Sequence, residues 1–227
     1  MQYQLVVFDL AGTTVKDNKD VHRVLQHSLR KHGVEISIGD ANEVMGIPKP
    51  VAIEKLLDKR YMGGKHITEA WIEEIHRHFV EEMIRFYMAD PSVGEKPGVS
   101  ETFRKLKEKG IKIAVNTGFD RRITDPLLNR LGWLDDNLID FSVTSDEVPN
   151  GRPHADMIFK AMRETGVTDP KAVVKVGDTQ SDVQEGHAAA CGLVVGVTSG
   201  AFSAEALLKE NPHHLIDQIP ALLDLID

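Results

Sequence analysis

Short, nearly unbroken apolar runs alternate along the chain with stretches in which apolar residues recur every three or four positions. The runs are "QLVVFDL" (4–10), "IKIAVNTG" (111–118), "IDFSVTS" (139–145), "AVVKVGD" (172–178) and "LVVGVT" (193–198). Their β-branched content and continuous apolarity predict strands covered on both faces, as in a parallel sheet. "HHLIDQI" (213–219) predicts a short edge strand. Between them, "GVSETFRKLKEKG", "RRITDPLLNRLG", "HADMIFKAMRETG", "SDVQEGHAAA" and "SAEALLKEN" predict helices. Several stop at a glycine (Gly110, Gly132, Gly166), the residue that tolerates the left-handed backbone past a helix end. Strand–helix alternation implies an α/β fold: an open parallel sheet with right-handed crossovers.

One connection does not fit this rhythm. The first two strands are separated by residues 11–110, where about a dozen residues would make a crossover. Helix periodicity fills much of that interval, in "DVHRVLQHSLRKHG", "PVAIEKLLDKR" and "TEAWIEEIHRHFVEEMIRFYMA". Residues 18–90 are therefore expected to form an inserted helical cap domain, with 1–17 and 91–227 forming the sheet core. The stripe "WIEEIHRHFVEEMIRFYM" reads as cap interior or a dimer face.

Composition narrows the function. A net charge of −8 without a basic stripe argues against binding nucleic acid or an anionic membrane. No run of about 18 or more apolar residues occurs and no signal pattern opens the chain, so a cytoplasmic protein, monomer or homodimer, is expected. The single cysteine, Cys191, lies in an apolar run and reads as a buried hydrophobe. The ten histidines form no metal-ligand pattern; His76 and His78 are two apart on one helix and face different ways, and His187 reads as packing or support. Dinucleotide, P-loop and serine-hydrolase motifs are absent.

The carboxyl ends of parallel strands are where ligands bind. Asp9 closes the first strand, Thr117 and Gly118 the second, Arg152 follows the third, and Asp178 closes the fourth, with Asp182 four residues on. Clustered carboxylates repel unless a cation joins them. A set of oxygen donors without His or Cys favours Mg2+ over zinc. Beside Arg, Thr and glycine-rich backbone, such a cation makes a phosphate site, and a carboxylate held there can attack phosphorus to give an aspartyl-phosphate.

"DLAGTT", Thr117, Arg152 and "GDTQSD", in this order at successive strand ends, resemble the haloacid dehalogenase superfamily of phosphohydrolases. The resemblance spans nearly the whole chain and implies a Rossmann-like parallel sheet core with an inserted α-helical cap domain. It implies Asp9 as nucleophile and metal ligand, the Ala11 carbonyl and Asp178 as further Mg2+ ligands, and Asp182 as a direct or water-mediated one. Thr117 and Arg152 would hold the phosphoryl oxygens, with Gly12, Met45, Gly46 and Gly118 against a small phosphorylated or phosphonate substrate.

Typical phosphatases of the superfamily place an acid two residues after the nucleophile; here Ala11 stands there. The form "D-x-A-G-T-T" resembles phosphonoacetaldehyde hydrolases, whose cap lysine forms a Schiff base with the aldehyde, and "MGIPK" (45–49) resembles their cap segment. Lys49 falls at the lysine position, at the start of a helix whose dipole disfavours an ammonium. On that resemblance a histidine is expected three residues later, and the chain has Ala52. Ordinary phosphate monoester hydrolysis of the phosphoglycolate phosphatase type is the competing reading. A phospho-aspartate binding module without turnover is a further one, disfavoured because such a module needs no lid.

Overall fold

The computed structural model describes residues 3–62 and 66–226. Six strands, β1 (Leu5–Asp9), β2 (Lys112–Thr117), β3 (Phe141–Thr144), β4 (Val173–Gly177), β5 (Leu193–Val197) and β6 (His214–Ile216), form one parallel sheet in the order β3-β2-β1-β4-β5-β6. Every residue of β1, β4 and β5 is buried, which is why these runs are apolar without alternation. All six lie within the runs read from the sequence, trimmed by a residue or more at most ends. The order reverses at β1, so the carboxyl ends of β1, β2 and β4 flank a single crevice.

Four helices follow β1 before the chain returns to the sheet: α1 (Asp20–Lys31), α2 (Ile38–Glu43), α3 (Lys49–Arg60) and α4 (Glu69–Ala89). No strand lies in this interval among the described residues. The two chain segments that join it to the core run side by side: Lys16 N–H donates to Gly94 O at 3.0 Å and Lys96 N–H to Thr14 O at 2.8 Å. Helix α2 escaped the periodicity because it is only six residues long. Its start is nonetheless written in the sequence, since Ser37 and Asp40 cap one another reciprocally.

Helix α4 buries Ile75, His76, Phe79, Val80, Met83 and Tyr87, packing on α1, α3 and α6 (Arg121–Leu131). The long stripe is thus interior to this chain. His76 is buried on it, while His78 faces outward and meets His32 at 2.7 Å, as the two-residue spacing requires. The remaining helices, α5 (Val99–Glu108), α7 (Asp156–Thr165), α8 (Gln180–Ala188), α9 (Ala204–Leu208) and α10 (Leu223–Ile226), belong to the sheet core. Cys191 is a buried free thiol, and burial pushes it up to about 12, so it acts as a small hydrophobe. Among the described residues no helix is long and apolar enough to cross a membrane.

Candidate active site

Each residue of "DLAGTT" has a structural task at the end of β1. Thr14 Oγ1 donates to the Asp9 carbonyl at 2.8 Å, and Thr13 Oγ1 donates to Asp178 Oδ1 at 2.8 Å. Gly12 turns the chain with φ +93°, and a Cβ there would strike the Asp178 carboxylate. Gly200 presses on the same carboxylate from the opposite loop, and Ala201 N–H donates to its Oδ2 at 2.6 Å. Lys96 Nζ donates to the Gly12 carbonyl and, at 3.1 Å, to Ser199, tying the two loops together. Asp178 is thus cradled by backbone that only glycine permits.

Asp9, Asp178 and Asp182 each offer a carboxylate oxygen within 4.8 Å of one another. Burial raises the Asp9 and Asp178 carboxyls, Asp178 to about 8, and mutual repulsion adds to it. Burial also acts on Asp182, yet Arg152 and Lys175 hold its carboxyl below the ordinary value. Asp182 Oδ2 caps α8 by accepting from Thr179 Oγ1 at 2.5 Å and Thr179 N–H at 3.1 Å. Its Oδ1 faces both cations at 2.9 Å, out of line for a hydrogen bond. Asp178 has no cation at ion-pair distance among the described residues. Arg152 and Lys175 pair with three buried carboxylates, Asp9, Asp182 and Glu185, and Asp178 adds a fourth without a pairing cation. A divalent cation would balance that excess, and the donor set fits one.

Beneath Asp9 lies a buried network only partly foreseen. Arg152 donates from Nη1 to Asp9 Oδ1 at 2.6 Å and from Nε to Glu185 Oε2 at 3.0 Å. Its Nη2 donates to the Asn116 carbonyl at 2.8 Å and to Asn116 Oδ1 at 2.5 Å. Four of its five N–H groups are thus hydrogen-bonded, and Asp182 faces Nη1 as an ion pair at 2.9 Å. The expectation that Arg152 grips phosphoryl oxygens therefore changes: here it holds the nucleophile candidate by one oxygen. Asp9 Oδ2 has no hydrogen-bond partner among the described residues. Gly12, expected against substrate, sits instead behind the cluster against Asp178.

Lys175 and Asn116 complete the network, with Lys175 Nζ donating to Asn116 Oδ1 at 2.6 Å and pairing with Glu185 at 3.1 Å. A lysine inside an apolar strand and an asparagine before Thr117 were the available signals. Glu185 carried none, reading as an ordinary helix-surface acid. Removing one partner from a buried ionic network leaves the others unpaired. Lys175→Met is expected to lower the unfolding free energy by about 3 kcal/mol. Urea denaturation checks this, and a loss below about 1 kcal/mol would show that the network does not need this cation.

Above the cluster lies a cavity of about 370 Å³ including its mouth. Asp9, Ala11, Thr117 and Gly118 line it from the sheet side; Met45, Gly46 and Lys49 line it from the insertion. Seven expected residues thus meet on one cavity. A Cβ on Gly118 would meet the carbonyls of Gly46 and Ile47 at 2.7 Å, and one on Gly46 would strike Thr179 and Ser181. The insertion is therefore closed onto the core. His22 and Phe119, unforeseen, also line it, as do Asp17, Val21, Thr179 and Ala201.

Lys49 opens α3, and only 3% of it is exposed. Burial pulls its ammonium down to about 8, against the opposing pull of Asp9. Burial, rather than the helix dipole named from sequence, is thus the leading cause. Its Nζ lies 5.3 Å from the Phe119 ring centroid and donates to the Ile47 carbonyl at 3.3 Å. Ala52 is buried and carries no proton to transfer.

The family model for haloacid dehalogenase-like hydrolases matches residues 6–195. The chain belongs to that family. A phosphonoacetaldehyde hydrolase of Bacillus cereus is 32% identical to this family member over 230 residues, covering 96% of this chain and 86% of that protein. The crystal structure of a phosphonoacetaldehyde hydrolase like protein from Oleispira antarctica superposes with a TM-score of 0.87 at 23% identity, covering all of this chain and 92% of that one. A predicted phosphoglycolate phosphatase from Haemophilus somnus superposes at 0.84 with 24% identity, covering all of this chain and 99% of that one. These structures share the haloacid dehalogenase fold. Membership of a hydrolase family sets aside the reading of a binding module without turnover.

Proposed function

We propose that the chain is a Mg2+-dependent hydrolase that cleaves the P–C bond of a small phosphonate bearing a carbonyl group, of the phosphonoacetaldehyde type. The observation that supports this reading is a buried lysine, with its ammonium at about 8, lining the same cavity as Asp9 and as Ala11, the alanine where an acid would otherwise stand. The 32% identity to a phosphonoacetaldehyde hydrolase agrees with it.

In this reading the four helices of 18–90 act as a cap that excludes water. Asp9, Asp178, Asp182 and the Ala11 carbonyl would hold Mg2+, which supplies positive charge to the phosphoryl oxygens. Thr117 and the Gly118 backbone orient those oxygens, with Met45 and Gly46 closing over the carbon chain. The Lys49 amine condenses with the carbonyl, releasing water and forming an imine. Asp9 Oδ2 then attacks phosphorus. The P–C bond breaks, and its electron pair passes through the new C=C bond to the Lys49 nitrogen as an enamine. The carbon that lost phosphorus takes a proton, and water releases the aldehyde from Lys49. A second water cleaves the aspartyl-phosphate and restores Asp9.

Ala52 favours a second reading, hydrolysis of a phosphate monoester such as phosphoglycolate, in which Lys49 would only bind charge. Phosphate release in Mg2+ from phosphonoacetaldehyde and from phosphoglycolate separates the two. The first is expected to turn over at least about a hundredfold faster in kcat/KM, a discrimination of about 3 kcal/mol. Preference for the ester would move the assignment to P–O chemistry.

A further inference from the structure

The imine chemistry proposed for Lys49 needs a group that moves protons beside the amine, and the inference drawn here rests on that reading. Lys49 begins and ends the cycle as an ammonium, so its own steps conserve protons. It must nonetheless surrender one before its amine can attack. The carbon that loses phosphorus must gain another, which the water that cleaves the aspartyl-phosphate returns to solvent.

The cavity wall offers few groups able to do this. Ala11 and the nearby Ala52 have no proton, the Thr117 hydroxyl is too weak an acid to give one at neutral pH, and Asp17, which also lines the cavity, is committed to the start of α1, its Oδ1 accepting from the Asp20 and Val21 N–H groups at 2.7 and 3.2 Å. His22 remains. It sits on the first turn of α1, is 1% exposed, and lines the same cavity as Lys49. Its Nε2 lies 2.9 Å from Asn42 Oδ1, on α2. An amide oxygen only accepts, so the ring donates from Nε2 and keeps the lone pair on Nδ1. That Nδ1 is buried and has no hydrogen-bond partner among the described residues. Buried polar nitrogens are nearly always paired, so an orphaned one on a cavity wall calls for a function.

We propose that His22, through Nδ1, is the proton-transfer group of this site. As the Lys49 nitrogen attacks the carbonyl carbon, an N–H bond of the ammonium breaks and an Nδ1–H bond forms. The imidazolium returns that proton to the carbonyl oxygen, and Nδ1 then carries a second N–H proton from the carbinolamine nitrogen to the same oxygen, so that the C–O bond breaks with release of water and the iminium keeps one N–H. After P–C cleavage Nδ1 passes a solvent-derived proton to the enamine carbon, forming the C–H bond and regenerating the iminium that water hydrolyses.

The groups that face His22 suit a ring that is neutral at rest. Asp17, in the segment before α1, holds its Oδ2 at 3.9 Å from Nδ1. Lys19, at the start of α1, and Lys49, at the start of α3, oppose a positive ring, and Asn42 supports one. Burial outweighs them and holds the imidazolium below its ordinary value. The neutral base is thus present at neutral pH, and the rate should rise on the acid side as His22 loses its proton.

The test uses the full chain with Mg2+ and phosphonoacetaldehyde. Borohydride trapping of the unsubstituted protein comes first. No adduct at Lys49 would overturn the imine reading and this inference with it. Given an adduct, His22→Ala is expected to lower kcat about a hundredfold. It should also remove from the acid limb of the pH–rate profile the inflection below the ordinary imidazole range, leaving the rise through about 8 that Lys49 imposes, and added imidazole should restore at least about tenfold of the loss. A rate within about threefold of the unsubstituted protein, or a full loss with the acid limb unmoved and no rescue, would overturn the role of His22 and leave Lys49 standing. Should His22→Ala lack a cooperative melt, Asn42→Leu decides. It keeps the imidazole but removes the acceptor that sets its tautomer, so the acid limb is expected to move, and an unmoved limb overturns the proposal.

Discussion

Replacing Asp9 by asparagine is expected to abolish phosphate release, by at least about ten-thousand-fold in kcat, while leaving the protein folded. The substitution preserves shape, and the amide oxygen can still accept from Arg152 Nη1, which holds Oδ1 at 2.6 Å. What disappears is the anionic oxygen able to form a P–O bond. The fold should tolerate the change because Asp9 is buried, is raised by that burial, and adds to the repulsion on Asp178. Stability lost with the Arg152 ion pair is offset by relief of that repulsion. A thermal melt within a few degrees of the unsubstituted protein, beside an absent phosphate signal, is the expected pair of results. Asp9→Asn retaining even about one-hundredth of the rate would remove Asp9 from the role of nucleophile. The same carboxylates predict that EDTA silences the enzyme and that Mg2+ restores it.

The sheet was readable because its strands are buried on both faces and therefore apolar throughout. Each polar residue that ended such a run, Asp9, Thr117 and Asp178, marked a carboxyl end of the sheet. That made most of the site visible as well, since one crevice collects those ends. What stayed hidden depends on packing between distant elements. Glu185 follows Asp182 by three residues on α8, a spacing indistinguishable from a solvated helix face until Arg152 and Lys175 are seen to reach it. His22 occupies an amphipathic helix, where a histidine draws no notice. Only the fold of α1 against α2 and α4 places it on the cavity. Arg152 was found but its use was not: proximity to a strand end suggested a phosphate grip, whereas the packing gives every donor nitrogen a protein partner. Phe119 is a core residue whose ring also forms the surface beside Lys49.

Lys49→Arg is expected to lower phosphate release from phosphonoacetaldehyde at least about a thousandfold and to eliminate borohydride trapping. A lysine in water is almost wholly protonated at neutral pH. Burial brings the ammonium of Lys49 to about 8, so about one molecule in ten presents a free amine at about pH 7. Arginine keeps a positive charge on the same cavity wall but offers no nucleophilic nitrogen, so it separates charge binding from imine formation. With the unsubstituted protein, borohydride during turnover should reduce the imine and fix the two-carbon fragment irreversibly on Lys49. Peptide mass mapping reads the site, and residual activity reads the extent. In Lys49→Arg the label should be absent, while the Asp9, Arg152 and Asp178 cluster should keep its contacts, since none of these residues hydrogen-bonds to Lys49, and the aspartyl-phosphate route proposed for it should stay open. Slow hydrolysis of an activated phosphate ester by the variant would show that intact machinery directly. Two results would defeat the imine: no adduct under turnover, or near-normal rates in Lys49→Arg. Either would leave Lys49 as a charge that receives the anionic substrate, and the leaving group would then be an oxygen that some group other than Ala11 must protonate.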